Sequence, residues 1–203
     1  DLNISDFNTE DCKYTTLKRS TLINFLKRDL NDVIKIGHNI SGIEQQHNKI
    51  KLFFDNNETS ECDYLIISDG GFSKSKGLLS NDKFKPKYND TLAIRGSLTE
   101  IPGYFNKKNI SLNLDSNFHY VIYPINPSGE YNFIGIMKHK LSKEEQNNYS
   151  LFSKKSFLEK VLEKVPENAK HILNNLKTIK IFPVFVSDDF YKIENDNINL
   201  IGD

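Results

Sequence analysis

Apolar residues recur along this chain with two different periods, and the switches between them outline its elements. Leu22, Ile23, Leu26 and Leu30 follow Arg19-Ser20-Thr21 at helical spacing, which predicts a helix opening at Arg19. Val33-Ile34-Lys35-Ile36 predicts a short strand, and another begins across Asn39 to Glu44. Lys49-Ile50-Lys51-Leu52-Phe53-Phe54 alternates, with Ile50, Leu52 and Phe54 on one face. Asp55-Asn56-Asn57-Glu58 supplies turn chemistry, so 40–65 reads as antiparallel strands joined by hairpins. Asp63-Tyr64-Leu65-Ile66-Ile67 differs: it is continuously apolar after its aspartate, as expected of a parallel-sheet strand buried on both faces. It runs directly into Ser68-Asp69-Gly70-Gly71-Phe72-Ser73, and open α/β sheets place their ligands at the carboxyl ends of such strands.

The middle of the chain is rich in strand signals. Thr91 to Leu98, Ile110 to Leu114, Phe118 to Ile125 and Tyr131 to Met137 are separated by turn residues such as Pro127-Ser128-Gly129, a spacing short enough to imply an antiparallel sheet. In the third of these, alternation sets His119, Val121, Tyr123 and Ile125 on one face and Phe118, Tyr120 and Ile122 on the other. Two amphipathic helices follow. Phe157, Leu158, Val161, Leu162 and Val165 form the stripe of the first; Pro166 opens the second, whose stripe is Ala169, Ile172, Leu173 and Leu176. Between the sheet and these helices, the Lys/Glu-rich stretch Lys138 to Glu145 reads as a solvated face. Ile179 to Val186 is an apolar run interrupted by Pro183, and Asn197 to Ile201 predicts a final strand leading to Gly202-Asp203.

Composition narrows the function classes. The 203 residues suffice for one large domain or two small ones. Lys+Arg and Asp+Glu are 27 each, a balance that argues against a nucleic-acid binder with a basic face. Two cysteines, Cys12 and Cys62, are too few for a disulfide framework and suit a reducing, cytoplasmic setting. No apolar run approaches the ~20 residues needed to span a bilayer. The five histidines, His38, His47, His119, His139 and His171, are scattered without metal-ligand spacing, so no metal site is expected. No Gly-x-Ser-x-Gly elbow marks a hydrolase. The absence of an initiator Met, together with an end on Ile201-Gly202-Asp203, suggests an internal piece of a longer protein.

In order and spacing, three segments resemble the FAD-dependent aromatic-ring monooxygenases, the group that includes salicylate hydroxylases, ubiquinone-biosynthesis hydroxylases and kynurenine monooxygenase. These are Arg19-x-x-Leu22 at a helix start, Asp69-Gly70-Gly71-Phe72-Ser73-Lys74-Ser75-Lys76 after an apolar strand, and the run from Ile181 to Gly202-Asp203. A softer likeness lies in Ala93-Ile94-Arg95-Gly96 and in His119-Tyr120-Val121-Ile122-Tyr123-Pro124-Ile125, which look like substrate-domain strands of the salicylate-hydroxylase branch.

The resemblance implies an α/β plus β fold: a partial, Rossmann-like FAD-binding domain and a substrate domain with an antiparallel sheet. The implied boundaries are 1–80 for the flavin part, 81–180 for the substrate domain, and 181–203 for a return to the flavin part. It also implies cofactor-binding roles. Arg19 would reach the phosphate–ribose region of FAD, where a guanidinium fork suits phosphate oxygens. The backbone at Ile40 would meet the adenine. Asp69 and Gly70 would lie at the pyrophosphate, with glycine permitting close approach, and Gly202-Asp203 would meet the ribityl chain. His119 and Tyr123 are the candidate substrate contacts. Lys76 stands where the family carries an arginine, which keeps the charge but loses the bidentate geometry. The implied activity is hydroxylation of a small aromatic substrate using NADPH or NADH and O2, with FAD carrying the chemistry. A quinone-precursor substrate would bring peripheral membrane association. No Gly-x-Gly-x-x-Gly precedes Arg19, so the piece by itself is expected to hold FAD poorly. A polyprenyl reductase or halogenase on the same scaffold, or a non-catalytic partner-binding module, remain alternative readings.

Overall fold

The computed structural model describes residues 8–46, 49–79, 86–187 and 196–202. The chain is a mixed α/β protein with antiparallel sheets. It divides into two compact units, one of Asp1–Asp29 with Asp90–Val184, the other of Leu30–Asn89 with Phe185–Asp203.

The first unit is built on a five-stranded sheet. Its strands are β5 (Lys87–Leu98), whose first residues belong to the other unit, β6 (Ser111–Asn113), β7 (Phe118–Pro124), β8 (Tyr131–Lys138) and β9 (Thr178–Val186), in the order β6-β7-β8-β5-β9. β6 with β7, β7 with β8, and β8 with β5 are antiparallel. Alternation decides which side of the sheet is core. Phe118, Tyr120 and Ile122 of β7 are buried, as are Tyr131, Phe133 and Met137 of β8. Helices α4 (Lys155–Leu162) and α5 (Glu167–Leu173) contribute Phe157, Val161, Ala169, Ile172 and Leu173 to the core of the same unit. These are the stripes read from the sequence, and Pro166 takes the N-cap position of α5. On the opposite side, Val121, Tyr123, Asn132 and Ile134 are only partly covered. Segment 14–18 and helix α1 (Arg19–Leu26) complete this unit, and none of the residues of α1 is buried.

Between β8 and α4, the stretch read as a solvated face holds more structure than that. His139 and Leu141 are buried. Ser142 then starts the short helix α3 (Lys143–Asn147) through a reciprocal cap, its side chain accepting from the Glu145 N–H while the Glu145 carboxylate accepts from the Ser142 N–H. Ser-x-x-Glu was a legible helix-start signal hidden inside a charge run.

The second unit contains the meander β1 (Ile40–Gln46), β2 (Lys49–Phe54) and β3 (Thr59–Cys62), antiparallel throughout, as the alternation and turn residues predict. Beside it are β4 (Leu65–Ile67) and β10 (Ile198–Leu200), which pair in parallel, and helix α2 (Lys74–Leu79). Ile50, Leu65, Ile67 and Ile198 form the buried cluster, with Ile43, Leu52 and Leu200 packed against it.

Two segments depart from what their sequence pattern predicts. Val33-Ile34-Lys35-Ile36 is not a strand: Val33 and Ile34 both donate to the Leu30 carbonyl, so the backbone turns and Val33 and Ile36 face solvent. Among the described residues the strand around Ile66 is buried on one face only. Leu65 and Ile67 enter the cluster, while Tyr64 and Ile66 are exposed at 70% and 62%.

Gly96 on β5 lies close against neighbouring backbone. A Cβ there would lie 2.5 Å from the Thr178 carbonyl oxygen and 2.9 Å from Leu176 Cδ1. Because backbone cannot yield as a flexible side chain does, Gly96→Ala should destabilise the protein by about 1–3 kcal/mol, the usual cost of overpacking. Chemical denaturation of the variant beside the parent checks this, and an unchanged midpoint would refute the close approach.

Candidate functional site

The partly covered side of the large sheet forms the floor of a cavity of about 840 Å³. Val121, Tyr123, Ile125, Asn132, Ile134, Arg95 and Ile110 supply that floor. The opposing wall is the stretch from Tyr14 to Ser20 together with Leu22. All of these residues belong to the first unit. Strand register explains the floor. Val121 pairs with Ile134, Ile134 with Arg95, and Tyr123 with Asn132, so side chains from three neighbouring strands stand in rows on one face. The sheet therefore resolves which face of β7 is open, and Val121, Tyr123 and Ile125 line the cavity. His119 shares their face but is exposed and does not line it.

Polar groups line both sides of the cavity. Asn132 Nδ2 donates to the Tyr123 hydroxyl oxygen at 2.8 Å, which leaves the hydroxyl hydrogen to donate elsewhere. The Arg95 guanidinium sits 5.7 Å over the Phe182 ring, in cation–π range. Lys18, Arg19 and Arg95 line the cavity, and among the described residues no Asp or Glu does, although the chain as a whole is charge-balanced. Arg19 and Tyr123, assigned in the sequence to cofactor and substrate respectively, thus border the same chamber. Arg95 and Asn132 were not singled out by sequence. The signal for Arg95 was available, as the one charge between Leu92 and Leu98 in an otherwise uncharged stretch. Nothing in the sequence pointed to Asn132.

In the second unit, the parallel pairing of β4 with β10 sets two glycine motifs next to each other. Leu200 is in register with Ile67, and Ile201 N–H donates to the Ile67 carbonyl, so Asp69-Gly70 and Gly202 both follow the same carboxyl ends. Gly70 and Gly202 have φ of +80° and +84°, which L residues with side chains rarely adopt. A Cβ at Gly70, Gly71 or Gly202 would meet nothing within 4 Å, so the backbone lies open to approach. The Asp69 carboxylate accepts from the Ser75 N–H at 3.2 Å and so ties the loop to the start of α2. Burial opposes its charge, but hydrogen bonds from Ser73 and Ser75 outweigh that and hold the carboxyl below its ordinary range. Asp203 lies outside the described residues. Ile40, at the start of β1, follows a turn fixed by His38, whose ring nitrogens lie 3.1 Å from the Ile36 carbonyl and 3.1 Å from Glu58. Among the described residues no cluster of His, Cys, Asp or Glu could hold a metal ion, and no helix is long and apolar enough to cross a membrane.

No family model and no curated protein sequence matches the chain. Solved structures do. HpxO of Klebsiella pneumoniae, in complex with FAD and uric acid, superposes with a TM-score of 0.73 over 91% of this chain at 14% identity. A salicylate hydroxylase in a substrate complex gives a TM-score of 0.69 over 91% at 17% identity. The 2,6-dihydroxypyridine-3-hydroxylase of Arthrobacter nicotinovorans gives 0.63 over 81% at 16%. At such identities the likeness shows the fold: this chain shares the fold of flavin-dependent aromatic hydroxylases. It spans about half the length of these structures, 47%, 49% and 48% respectively.

Because the Asp69 carboxyl is held low, its contribution to stability is present above the ordinary carboxylate range, about pH 4, and is lost as pH falls through the depressed folded value. Asp69→Asn should therefore flatten the acid limb of the stability-versus-pH curve. Thermal melts of both proteins from neutral pH downward read this, and parallel acid limbs would contradict it.

Proposed function

We propose that this chain is part of an FAD-dependent monooxygenase that hydroxylates a small planar aromatic molecule, with NADPH or NADH as reductant and O2 as oxidant. The observation that carries the reading is the shared carboxyl end of β4 and β10, where Asp69-Gly70 and Gly202 stand together with open backbone. On this reading the second unit is part of a Rossmann-like flavin domain and the sheet of the first unit is the substrate platform.

The residues present suit FAD. Gly70, Gly71 and Gly202 offer unobstructed backbone amides of the kind that pyrophosphate and ribityl oxygens need. Asp69 and Asp203 would accept from sugar hydroxyls or orient the loop, the Ile40 backbone would meet the adenine, and Arg19 would meet phosphate. When bound, FAD supplies the redox and oxygen chemistry. The chain's own residues bind and orient the ring to be hydroxylated. Val121, Ile125, Ile134 and Ile110 give it apolar walls, the Tyr123 hydroxyl donates to an acceptor oxygen on it, and Arg95 attracts a negative charge. Uric acid in HpxO and the substrate of the salicylate hydroxylase are ligands of the size and polarity this chamber suits.

The test is made on the full-length protein. It should take up FAD, seen as flavin absorbance that stays with the protein, and should oxidise NADPH or NADH faster when an aromatic carboxylate such as salicylate is added. Arg95→Ala and Tyr123→Phe should each raise the salicylate Kd roughly tenfold or more, as losing a hydrogen bond to a charged group does. A full-length protein that takes up no flavin, or variants that bind salicylate as the parent does, would overturn the assignment.

A further inference from the structure

The wall opposite the sheet is held by little. From Tyr14 to Lys18 the chain is extended, without helix or strand, and it makes one side of the cavity. Helix α1, which carries Arg19, buries none of its residues, and Lys18 at its N-cap makes no side-chain capping bond. Segment 14–18 is tied to the sheet by the Thr16 hydroxyl, which donates to the Pro124 carbonyl at 2.5 Å, and by the Lys18 ammonium, which meets the Glu130 carboxylate at 2.5 Å. Both ties land on the two ends of one turn, the connection from β7 to β8.

That turn is braced from within. Ile125 N–H donates to the Glu130 carbonyl at 2.9 Å, Glu130 N–H donates to Asn126 Oδ1 at 3.1 Å, and Asn126 Nδ2 donates to Glu130 Oε2 at 2.9 Å. The Glu130 carboxylate is therefore aimed before Lys18 arrives, which lowers the entropy cost that usually makes a surface pair worthless. The lysine hydrogen bond is the leading cause holding its carboxyl below the ordinary range, against a smaller opposing effect of burial and with further help from Lys18, Asn126 and Lys177. Glu130 itself does not line the cavity.

We infer that Glu130 is a positioning residue: through Lys18 it clasps the wall that bears Arg19 onto the sheet, and so places Arg19 for its contact with FAD. The inference rests on the proposed function for the identity of what is bound, and on the two ties alone for the clasp. Its chemistry is a charge pair at the mouth of a turn, so it is reversible and weakened by salt.

Charge reversal tests it on the full-length protein. Lys18→Glu and Glu130→Lys should each speed amide hydrogen exchange across 14–22 and raise the FAD Kd roughly two- to fivefold, the scale of one partly exposed ion pair. The double variant, with the charges exchanged, should restore both readouts, and Glu130→Asp should retain part of each. Global unfolding midpoints should stay close to the parent's, which separates positioning from a general loss of stability. Singles that leave exchange unchanged, a double as impaired as the singles, or faster exchange with unaltered FAD binding would each overturn the inference. A parent protein that binds no FAD would sink the proposed function instead, and exchange across 14–22 would still decide whether the clasp exists.

Discussion

Strand alternation in β7 and β8 is the constraint on which the rest depends. Successive side chains must point to opposite faces, and burying Phe118, Tyr120, Ile122, Phe133 and Met137 commits Val121, Tyr123, Asn132 and Ile134 to the other side. A slip of one residue would exchange the two sets and place a tyrosine–asparagine pair in the core. The large buried aromatics thus fix more than stability. They hold a polar pair and an arginine two strands away on one floor, with no element of their own to position them. The chamber lies between that floor and a wall made of segment 14–18 and the first turn of α1.

The second unit works by a different device. A parallel pair as short as β4 and β10 adds little burial of its own, and Leu65, Ile67 and Ile198 gain theirs by entering the cluster around Ile50. What the pairing achieves is coincidence, since it brings the chain back to the strand end at Ile67 after the intervening residues have built the large sheet and its helices. Gly70 and Gly202, both at positive φ, stand at these strand ends with no side chain over the backbone. Asp69 is engaged within its own loop: its carboxylate accepts from the Ser75 N–H and so shapes the turn.

Much of this was legible in the sequence, for physical reasons that differ by element. The period of two in Phe118–Pro124 survives because one face is core and the other is not. The stripes of α4 and α5 were clear because each buries one side. Where local pattern and environment part company, reading failed. Val33 to Ile36 has strand composition, but the carbonyl of Leu30 captures its amides into a turn. The apolar run at Tyr64 to Ile67 reads as doubly buried, whereas Ile66 is open among the described residues. Alternation sets Tyr123 and His119 on one face, and only Tyr123 lines the chamber, because alternation gives a face but not the extent of a cavity along it. Asn132 and the Thr16 and Lys18 ties were invisible, since they depend on pairing between segments far apart in sequence.

The most direct test of the account is a structure of the full-length protein with FAD and an aromatic carboxylate bound. The account predicts the aromatic ring on the floor of the first unit, with an oxygen within hydrogen-bonding reach of the Tyr123 hydroxyl, and flavin contacts at Arg19, Gly70 and Gly202. A ligand seated elsewhere, with this chamber empty or closed by the protein's own side chains, would contradict it.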